Sequence, residues 1–465
     1  MSTRLHTTEA VNGFAIRGVV EGFYGAAYTQ PQREDLLRFL GEHGFNTYIY
    51  GPKNDRKHRA RWREPYGDEA MLDFRDSVTV AARAGIEFVY ALSPGLDVRY
   101  GSGNDFAAIT AKFTALLGAG VRRFSLFLDD INPTFRHLED SSKFASFASA
   151  QADLCNRTLA WLREQRADAQ LSMCPTIYHG APPFGDYLHE LGERLHPEID
   201  VYYTGIDVCS RTIDALEVRA FASTLRRQPI LWDNYPVNDG GMASELHIGP
   251  LRGRAPDLVD CAKGFAANPM NQPEASKVAL HTFGAYFRDP VGYDPDNAWR
   301  PALTAVAGAQ QAAAFESFAS TSLHGALGVE PAPLLKPLVV AACHHLRGAS
   351  DKEAPAGTSG HPLRDLGANL DELDEACYDL KFHLRNLALR AELLPWLEAM
   401  ENWLWSGRRA LELVAAPVAG DDVGPALRRL KEPFASARAH HKRSGGSELL
   451  PFIDLALERH ALASA

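Results

Sequence analysis

The chain has 465 residues, of which 46% are hydrophobic and 23% charged, and its formal net charge is −10. This length favours two or three domains, and the composition is that of a soluble globular protein. The negative charge argues against nucleic acid as the main partner, because phosphate binding needs a basic surface. The six cysteines form no CxxC pair and no cluster with histidine, so neither a disulfide framework nor a zinc site is predicted.

The amino-terminal segment carries no visible targeting signal. "MSTRLHTTEAVNGFAIRG" lacks the apolar core of a signal peptide. No run in the chain approaches the roughly 20 apolar residues that a membrane span needs. We therefore expect an intracellular, cytoplasmic protein with no membrane partner.

From about residue 14, a short apolar strand, a polar or glycine-rich end and an amphipathic helix repeat along the chain. Strands alternating with helices imply parallel pairing, and eight units favour a closed (β/α)8 TIM barrel over residues 13–300. An open doubly wound sheet is the alternative, but no GxGxxG follows the first strand. The eight strand-like segments are "AIRGVVEGFYG", "NTYIYGPK", "EFVYALSPG", "RFSLFLDD", "QLSMCPTIY", "DVYYTG", "PILWDNYP" and "GFAANPM".

Residues 301–465 have helical periodicity without strand alternation, which predicts an all-α, bundle-like C-terminal domain. The segments 349–362 and "APVAGDDVG" are typical of solvent loops between helices. The pairs His344–His345 and His440–His441 could suggest a metal site. Adjacent side chains on a helix point about 100° apart, however, so one such pair does not form a chelate, and no metal or cofactor is expected.

Polar and aromatic side chains cluster at the carboxyl ends of the predicted strands, where the active sites of barrel enzymes form. Carboxylates, amides and aromatic faces are the groups that a sugar pocket needs, because hydroxyls take hydrogen bonds while the apolar ring face lies on Trp or Tyr. The residues at these ends are Gly22, Tyr24, Lys53, Ser93, Pro94, Gly95, Asp129, Asp130, Tyr178, Thr204, Trp232, Asn234 and Asn268, with Asp239 in the loop after the seventh strand.

The adjacent carboxylates Asp129 and Asp130 end the fourth strand. Taken alone, Asp before "INP" is ordinary turn chemistry. Most glycosidases need two carboxyls about 5 Å or more apart, which neighbouring residues do not easily provide. In substrate-assisted hydrolysis the 2-acetamido oxygen of the sugar is the nucleophile, so one acid holds the acetamide while a nearby acid moves the proton. The pair therefore favours an N-acetylhexosaminidase.

Several motifs also resemble glycoside hydrolase family 84, the retaining β-N-acetylglucosaminidases that include the O-GlcNAc hydrolases. The resemblance covers roughly residues 14–300 and implies a barrel with its catalytic Asp-Asp pair at the end of the fourth strand. It implies that Asp129 binds the acetamido N–H and that Asp130 is the general acid and base. The motifs are "RGVVEGFYG", "NTYIYGPKNDRKHRARWREPY", "FSLFLDDI", "CPTIY", "LWDNYPVND" and "ANPMNQPEASKVALHT".

The same resemblance assigns the substrate-binding residues. Lys53 and the Gly22 carbonyl would bind the C3 hydroxyl, and Asp239 the C4 and C6 hydroxyls. Tyr178 would donate to the acetamido oxygen. Asn234 and Asn268 would complete the ring of polar groups at the strand ends. The residues that would shape the acetyl pocket and its wall are Tyr24, Cys174, Thr204, Val208 and Trp232. Family members often have Ala, Glu and Tyr where this chain has Gly51, Ile177 and Gly240, a difference that bears on aglycone preference.

The functional prediction is a retaining exo-β-N-acetylglucosaminidase acting on an N-acetylglucosamine-bearing glycoside or glycoprotein. A non-hydrolytic N-acetylhexosamine-binding protein on the same barrel, and a scaffold whose function lies in the helical region, are the alternatives. In relatives a helical domain can border the aglycone cleft or mediate dimerisation, so the resemblance allows a homodimer through this domain. The natural aglycone and the preference between gluco and galacto sugars stay open.

Overall fold

The computed structural model describes residues 13–323, 327–328, 332–348, 360–415 and 424–463. They form two compact units. The first unit contains the described residues up to Asp239 together with Leu251–Pro273 and Leu280–Pro295. The second contains Gly240–Pro250, Glu274–Ala279 and the described residues from Asp296 onward.

The first unit is built on a closed barrel of eight parallel strands in the order β1 to β8. Each strand lies inside one of the segments predicted from the sequence, and β1 closes the barrel by pairing with both β2 and β8. The prediction of a (β/α)8 barrel is confirmed. The strands are β1 (Ile16–Glu21), β2 (Thr47–Tyr50), β3 (Glu87–Leu92), β4 (Arg123–Phe127), β5 (Gln170–Cys174), β6 (Asp200–Tyr203), β7 (Ile230–Pro236) and β8 (Gly264–Asn268).

Helices follow most strands, and two of them, α3 and α5, begin at side-chain caps that the sequence supplies. Ser102 accepts a hydrogen bond from the Asp105 amide, and Ser146 and Ser149 form a reciprocal capping box, which satisfies amides that a helix start leaves free. The helices are α1 (Gln30–Glu42), α2 (Asp68–Arg83), α3 (Gly103–Gly118), α4 (Leu138–Lys143), α5 (Phe147–Gln165), α6 (Asp186–Arg194), α7 (Ala215–Leu225) and α8 (Pro273–Arg288).

The connection from β7 to β8 departs from this alternation. Residues 237–263 are all described and contain two short 3-10 turns, Gly240–Met242 and Pro256–Asp260, but no α-helix. Frequent Gly and Pro interrupt helical propensity in this segment. The guanidinium of Arg254 instead binds both carboxylate oxygens of buried Asp233 on β7, at 2.7 Å each, which ties the connection to the barrel.

The barrel strands are buried on both faces, which explains their nearly continuous apolar sequences. Side chains on the outer face pack against the helices, as Phe265 does against Phe283 and Tyr286 of α8. Inward side chains fill the barrel interior, and its upper layer includes Phe127 and Trp232, whose rings lie 5.0 Å apart. This packed interior supports the strand ends above it.

The second unit contains the all-α region that the sequence predicts for the C-terminal part, and this prediction is confirmed. The long helical stretch around residues 365–415 is two helices, separated at Leu384–Asn386. The predicted loops at 349–362 and in "APVAGDDVG" lie largely outside the described residues. The helices are α9 (Pro295–Ala307), α10 (Ala312–Ala319), α11 (Leu335–Leu346), α12 (Pro362–His383), α13 (Leu387–Ala415), α14 (Gly424–Ala439) and α15 (Leu450–Ala463).

Helix α13 organises this unit through an apolar stripe at three- and four-residue spacing, which includes Leu389, Leu393, Trp396 and Met400, all buried. Within the described ranges, no group of three or more His, Cys, Asp or Glu side chains could hold a metal ion. None of the helices that the structure describes has the length and apolar character needed to cross a membrane.

A buried carboxylate on α13 caps the start of α8. Glu392 accepts hydrogen bonds from the backbone amides of Glu274, at 3.2 Å, and Ala275, at 2.9 Å. Burial raises the pKa of Glu392 to about 7, although the two amides favour its charged form. This side chain therefore changes its charge near neutral pH.

Candidate active site

The carboxyl ends of the strands surround a cavity of about 130 Å³. All thirteen residues predicted as catalytic or substrate-binding line it, and Cys209 and Val237 complete its wall. The structure therefore brings the whole predicted set together at one end of the barrel. The lining residues are Gly22, Tyr24, Lys53, Asp129, Asp130, Cys174, Tyr178, Thr204, Val208, Cys209, Trp232, Asn234, Val237, Asp239 and Asn268.

A local backbone reversal directs two successive side chains, Asp129 and Asp130, into the same cavity. Strand alternation places Phe127 in the barrel interior and Asp129 on the same side, and would send Asp130 to the other. Asp130 has a φ of 54°, in the left-handed region, so the alternation stops there. Asp tolerates this region better than most residues, but the conformation still carries strain of the kind found at functional sites.

Lys53, from the loop after β2, compensates the charge of both carboxylates. Its Nζ forms a short ion pair with Oδ2 of Asp129 and lies 3.5 Å from Oδ2 of Asp130. Burial alone would lower the pKa of Lys53, but the two carboxylates outweigh it and raise this pKa above its ordinary value. Lys53 is therefore a permanent cation between two acids.

The two carboxylate oxygens of Asp129 differ in their hydrogen-bond partners. Oδ1 is buried and has no hydrogen-bond partner among the described residues, whereas Oδ2 is bound by Lys53. An unsatisfied buried acceptor costs on the order of 1–3 kcal/mol, which a donor from a ligand would recover. The geometry thus provides an oriented acceptor for an N–H group inside the cavity.

Asp130 is held by two tyrosine hydroxyls. Tyr24 donates to its Oδ2 at 2.8 Å and Tyr178 to its Oδ1 at 2.9 Å. Burial alone would raise the pKa of Asp130, but the Lys53 charge and these two hydrogen bonds outweigh it and hold the pKa below its ordinary value. In the ligand-free protein this carboxylate is therefore ionised at neutral pH.

Asp239 lies in the loop after β7, where its Oδ2 accepts a hydrogen bond of 2.6 Å from the Tyr24 amide. Burial, assisted by the charge of Asp130, raises the pKa of Asp239 above its ordinary value. The backbone bond joins the loops that follow β1 and β7. Asp239 is thus a third carboxylate in the cavity wall, separate from the Asp129–Asp130 pair.

Trp232, Asn234 and Asn268 form one hydrogen-bonded group on β7 and β8. Oδ1 of Asn234 accepts from Nε1 of Trp232 and from Nδ2 of Asn268, each at 2.9 Å. Nδ2 of Asn234 donates to the Val208 carbonyl at 2.7 Å. Asn268 in turn accepts from the Gly22 amide at 3.3 Å. These amides position the tryptophan and the β1 end, in addition to facing the cavity.

Gly22 is required by the approach of Trp232. A Cβ at residue 22 would lie 2.5 Å from Cζ2 of the tryptophan ring, closer than two carbon atoms can approach. The indole can occupy its place at the cavity only because residue 22 has no side chain. The family resemblance assigns sugar binding to the Gly22 carbonyl, and the structure adds this steric reason for glycine at the position.

The part of the wall that follows β5 and β6 contributes uncharged side chains to the cavity. Burial raises the pKa of the Cys174 thiol well above its ordinary value, so Cys174 is a neutral wall residue. The hydroxyl of buried Thr204 donates to the Asp207 carbonyl at 2.8 Å, so it stabilises its own loop. Val208 is 41% exposed and contributes an apolar edge to the mouth.

Sequence reasoning missed Cys209 and Val237 in the wall and Arg59 behind the site. Arg59 donates to the backbone carbonyl of Asp130 at 3.4 Å, and its guanidinium lies 5.9 Å from the centre of the Tyr24 ring. The motif "NDRKHRARW" contains this arginine, but four cations in a short loop give no signal that distinguishes the buried one. Only burial, 8% exposed for Arg59, identifies it.

A closed (β/α)8 barrel whose strand ends present carboxylates, amides and an indole is the architecture of a barrel glycoside hydrolase. Comparison with known proteins identifies the family. The model of the beta-N-acetylglucosaminidase family matches residues 17–320, and the chain belongs to this family of glycoside hydrolases, family 84. The resemblance seen in the motifs is thereby confirmed.

Individual relatives agree with this assignment. The protein O-GlcNAcases of Rattus norvegicus and Mus musculus are each 36% identical to the chain over 276 residues, which are 58% of this chain and 30% of theirs. The chain thus spans less than a third of the length of these relatives. A mutant of the O-GlcNAc hydrolase of Thermobaculum terrenum superposes with a TM-score of 0.90 at 33% identity, covering 97% of this chain and 96% of that one.

Proposed function

We propose that the protein is a retaining exo-β-N-acetylglucosaminidase that removes terminal β-linked N-acetylglucosamine, including O-GlcNAc on protein, by substrate-assisted catalysis. The family and the names of its relatives support the sugar. The observation that carries the mechanism is the free Oδ1 of Asp129 beside Lys53, because it supplies an oriented acceptor for the acetamido N–H. We assign catalysis to residues 13–300 and a separate helical domain to residues 301–465.

In the first step, the acetamido oxygen of the sugar attacks C1 while the bond from C1 to the aglycone oxygen breaks. Asp130 gives its proton to the departing oxygen. Asp129 accepts a hydrogen bond from the acetamido N–H. Its negative charge stabilises the positive charge that develops on the forming oxazoline. Lys53 keeps the Asp129 carboxylate oriented through its ion pair.

In the second step, water attacks C1 from the side that the aglycone left, and the oxazoline opens to the acetamide. Asp130 removes a proton from this water and so returns to its acid form. Two displacements at C1 give net retention. The hydrogen bond from Tyr178 to Asp130 has to change partner during this cycle, because the same hydroxyl is assigned to the acetamido oxygen.

The sugar is held by the remaining wall. Lys53 and the Gly22 carbonyl bind the C3 hydroxyl, Asp239 binds the C4 and C6 hydroxyls, and Trp232 closes the acetyl pocket with Cys174 and Thr204. Asn234 and Asn268 keep these groups in place through the hydrogen bonds described above. Val208 and Tyr24 form the mouth.

Hydrolysis of 4-nitrophenyl N-acetylglucosaminide and the galactosaminide, with and without an oxazoline-mimicking thiazoline, tests this function. We expect turnover of the glucosaminide and tight inhibition by the thiazoline. Asp129→Asn should remove most activity, whereas Asp73→Asn, the same change on an exposed face of α2, should not. Turnover without thiazoline inhibition would contradict the mechanism. Saturable sugar binding without turnover would instead favour a non-hydrolytic binding protein.

A further inference from the structure

A second cavity, of about 670 Å³, adjoins the sugar pocket of about 130 Å³. Asp130 and Tyr178 line both cavities. The proposed acid must lie between the sugar and the leaving group, because it protonates the oxygen that joins them. The cavity on the other side of Asp130, which we call the outer groove, is therefore where the aglycone lies. This step rests on the proposed function.

Thr176 and Tyr100 line the outer groove, and hydrogen bonds to residues outside its lining hold them in place. Buried Gln151 donates to Thr176 at 2.8 Å and to Tyr100 at 3.2 Å, and it accepts a short hydrogen bond from Tyr187. Thr176 donates to the Leu128 carbonyl at 2.6 Å, next to the catalytic pair. Because these polar groups bond to one another, this part of the groove is a fixed surface, and selectivity has to come from the rim.

The rim is polar and exposed on the side of the loop that follows β4. Asn132, Thr134 and Arg136 line this side, and exposed His179, next to Tyr178, lines the opposite one. Side-chain amides and hydroxyls of this kind bind peptide backbone groups readily. The groove is also much larger than the sugar pocket, so it accommodates a segment longer than one sugar.

Arg136 gives the rim an uncompensated positive charge. Its guanidinium donates to the Leu96 carbonyl, but it forms no ion pair within the described part of the chain. The acid next to Leu96 is already engaged, since Asp97 binds Arg63 and Trp62 at 2.7 Å each. Arg136 lines the groove, so its remaining N–H donors can reach a group bound there.

We propose that the outer groove binds the polypeptide around a glycosylated serine or threonine, and that Arg136 selects segments carrying an acidic residue near the sugar. A guanidinium pairs with a carboxylate in a two-pronged geometry, whereas a neutral glycan offers only hydroxyls. The groove is thus a peptide subsite, and Arg136 is a specificity-determining residue.

Steady-state kinetics on matched glycopeptides tests this proposal. The substrates are three synthetic heptapeptides with a central O-GlcNAc-serine and Glu, Gln or Lys on both sides, together with diacetylchitobiose and 4-nitrophenyl N-acetylglucosaminide. We expect the wild type to prefer the Glu peptide. Arg136→Ala should lower kcat/KM for that peptide, relative to the aryl glycoside, by roughly three- to tenfold, as for a partly exposed ion pair.

Two variants serve as controls. Arg136→Lys keeps the charge and should retain part of the preference, and Arg75→Ala removes an exposed arginine on α2 and should leave it intact. Equal effects of Arg136→Ala on all three peptides would overturn the proposal, as would a wild-type preference for chitobiose over every peptide. If no substrate is hydrolysed, the proposed function fails by itself. Calorimetric binding of the three peptides to the Asp130→Asn variant then tests the proposal about the outer groove. Tighter binding of the Glu peptide supports the proposal, and equal binding of the three peptides or no binding overturns it.

Discussion

The hydroxyl of Tyr178 lies 2.9 Å from Oδ1 of Asp130, so the group assigned to the acetamide oxygen binds the proposed proton donor in the ligand-free protein. A sugar that takes this hydroxyl also removes a bond that favours the ionised carboxylate. We therefore expect substrate binding to raise the pKa of Asp130 toward its ordinary value, which favours the acid form that the proposed mechanism needs.

Tyr24→Phe tests this coupling without removing the acetamide contact. The change deletes the hydrogen bond of 2.8 Å from Tyr24 to Asp130, which helps to keep the pKa of that carboxyl below its ordinary value. The alkaline limb of the pH profile of kcat/KM, which reports the acid of the free enzyme, should move to higher pH. A limb that moves to lower pH or does not move would contradict the assignment of Asp130 as the acid. The matched control Tyr66→Phe, a change away from the cavity lining, should not move it.

Asp130→Ala and Asp130→Asn should lower activity by an amount that depends on the acidity of the leaving group. Without a proton donor, kcat/KM for alkyl or protein glycosides should fall by roughly 100- to 10,000-fold, because general acid catalysis contributes that much. A 4-nitrophenolate needs little protonation, so its glycoside should lose far less. A series of aryl glycosides with graded phenol pKa values measures this slope. Equal losses across the series would remove Asp130 from the acid role.

Gly22→Ala should impair the site chiefly through Trp232. The added methyl group would lie 2.5 Å from the indole ring, so the ring has to move and the acetyl pocket changes shape. We expect kcat/KM to fall at least tenfold with a loss of stability of about 1–3 kcal/mol, as overpacking costs. The double variant Gly22→Ala with Trp232→Phe should recover part of that stability. Additive losses in the double-mutant cycle would show that the two residues do not collide.

Glu392 should make the stability of the helical unit depend on pH. Its folded-state pKa of about 7 exceeds the ordinary 4.5, so the folded protein binds a proton that the unfolded chain releases between these values. The stabilisation is complete below about pH 4.5 and is lost as pH rises through about 7, by up to roughly 3 kcal/mol. Glu392→Gln should flatten this decline in denaturant titrations between pH 5 and 8. An unchanged slope would contradict it, and Glu398→Gln is the control.

The strands and the catalytic end of the barrel follow from the sequence because their signal is local. Each β-segment is an apolar run with a polar end, and a parallel barrel places all such ends on one side, so Lys53 and Asp239 could be grouped without coordinates. The break between α12 and α13, at residues 384–386, was not predicted. It spans only three residues within one periodic stretch, and helix boundaries are the feature that sequence patterns locate least well.

Other features depend on contacts between distant residues and could not be predicted. Arg59 is one cation among several until folding buries it against Tyr24, and Gly22 looks like a turn residue until Trp232 is placed beside it. The bond between Tyr178 and Asp130 likewise joins loops 48 residues apart. The hydrogen bonds that Asn234 makes to its neighbours depend on the closure of β7 onto β8.

The left-handed backbone at Asp130 also restricts which amino acids this position can accept in evolution. Besides glycine, asparagine is the residue that tolerates a φ of 54° as well as aspartate does. Asparagine differs from aspartate by a single base in the codon, and it has almost the same shape but no proton to donate. A descendant that still folds and binds sugar but has lost its proton donor is thus one point mutation away, whereas a longer acid such as glutamate is disfavoured by the backbone itself.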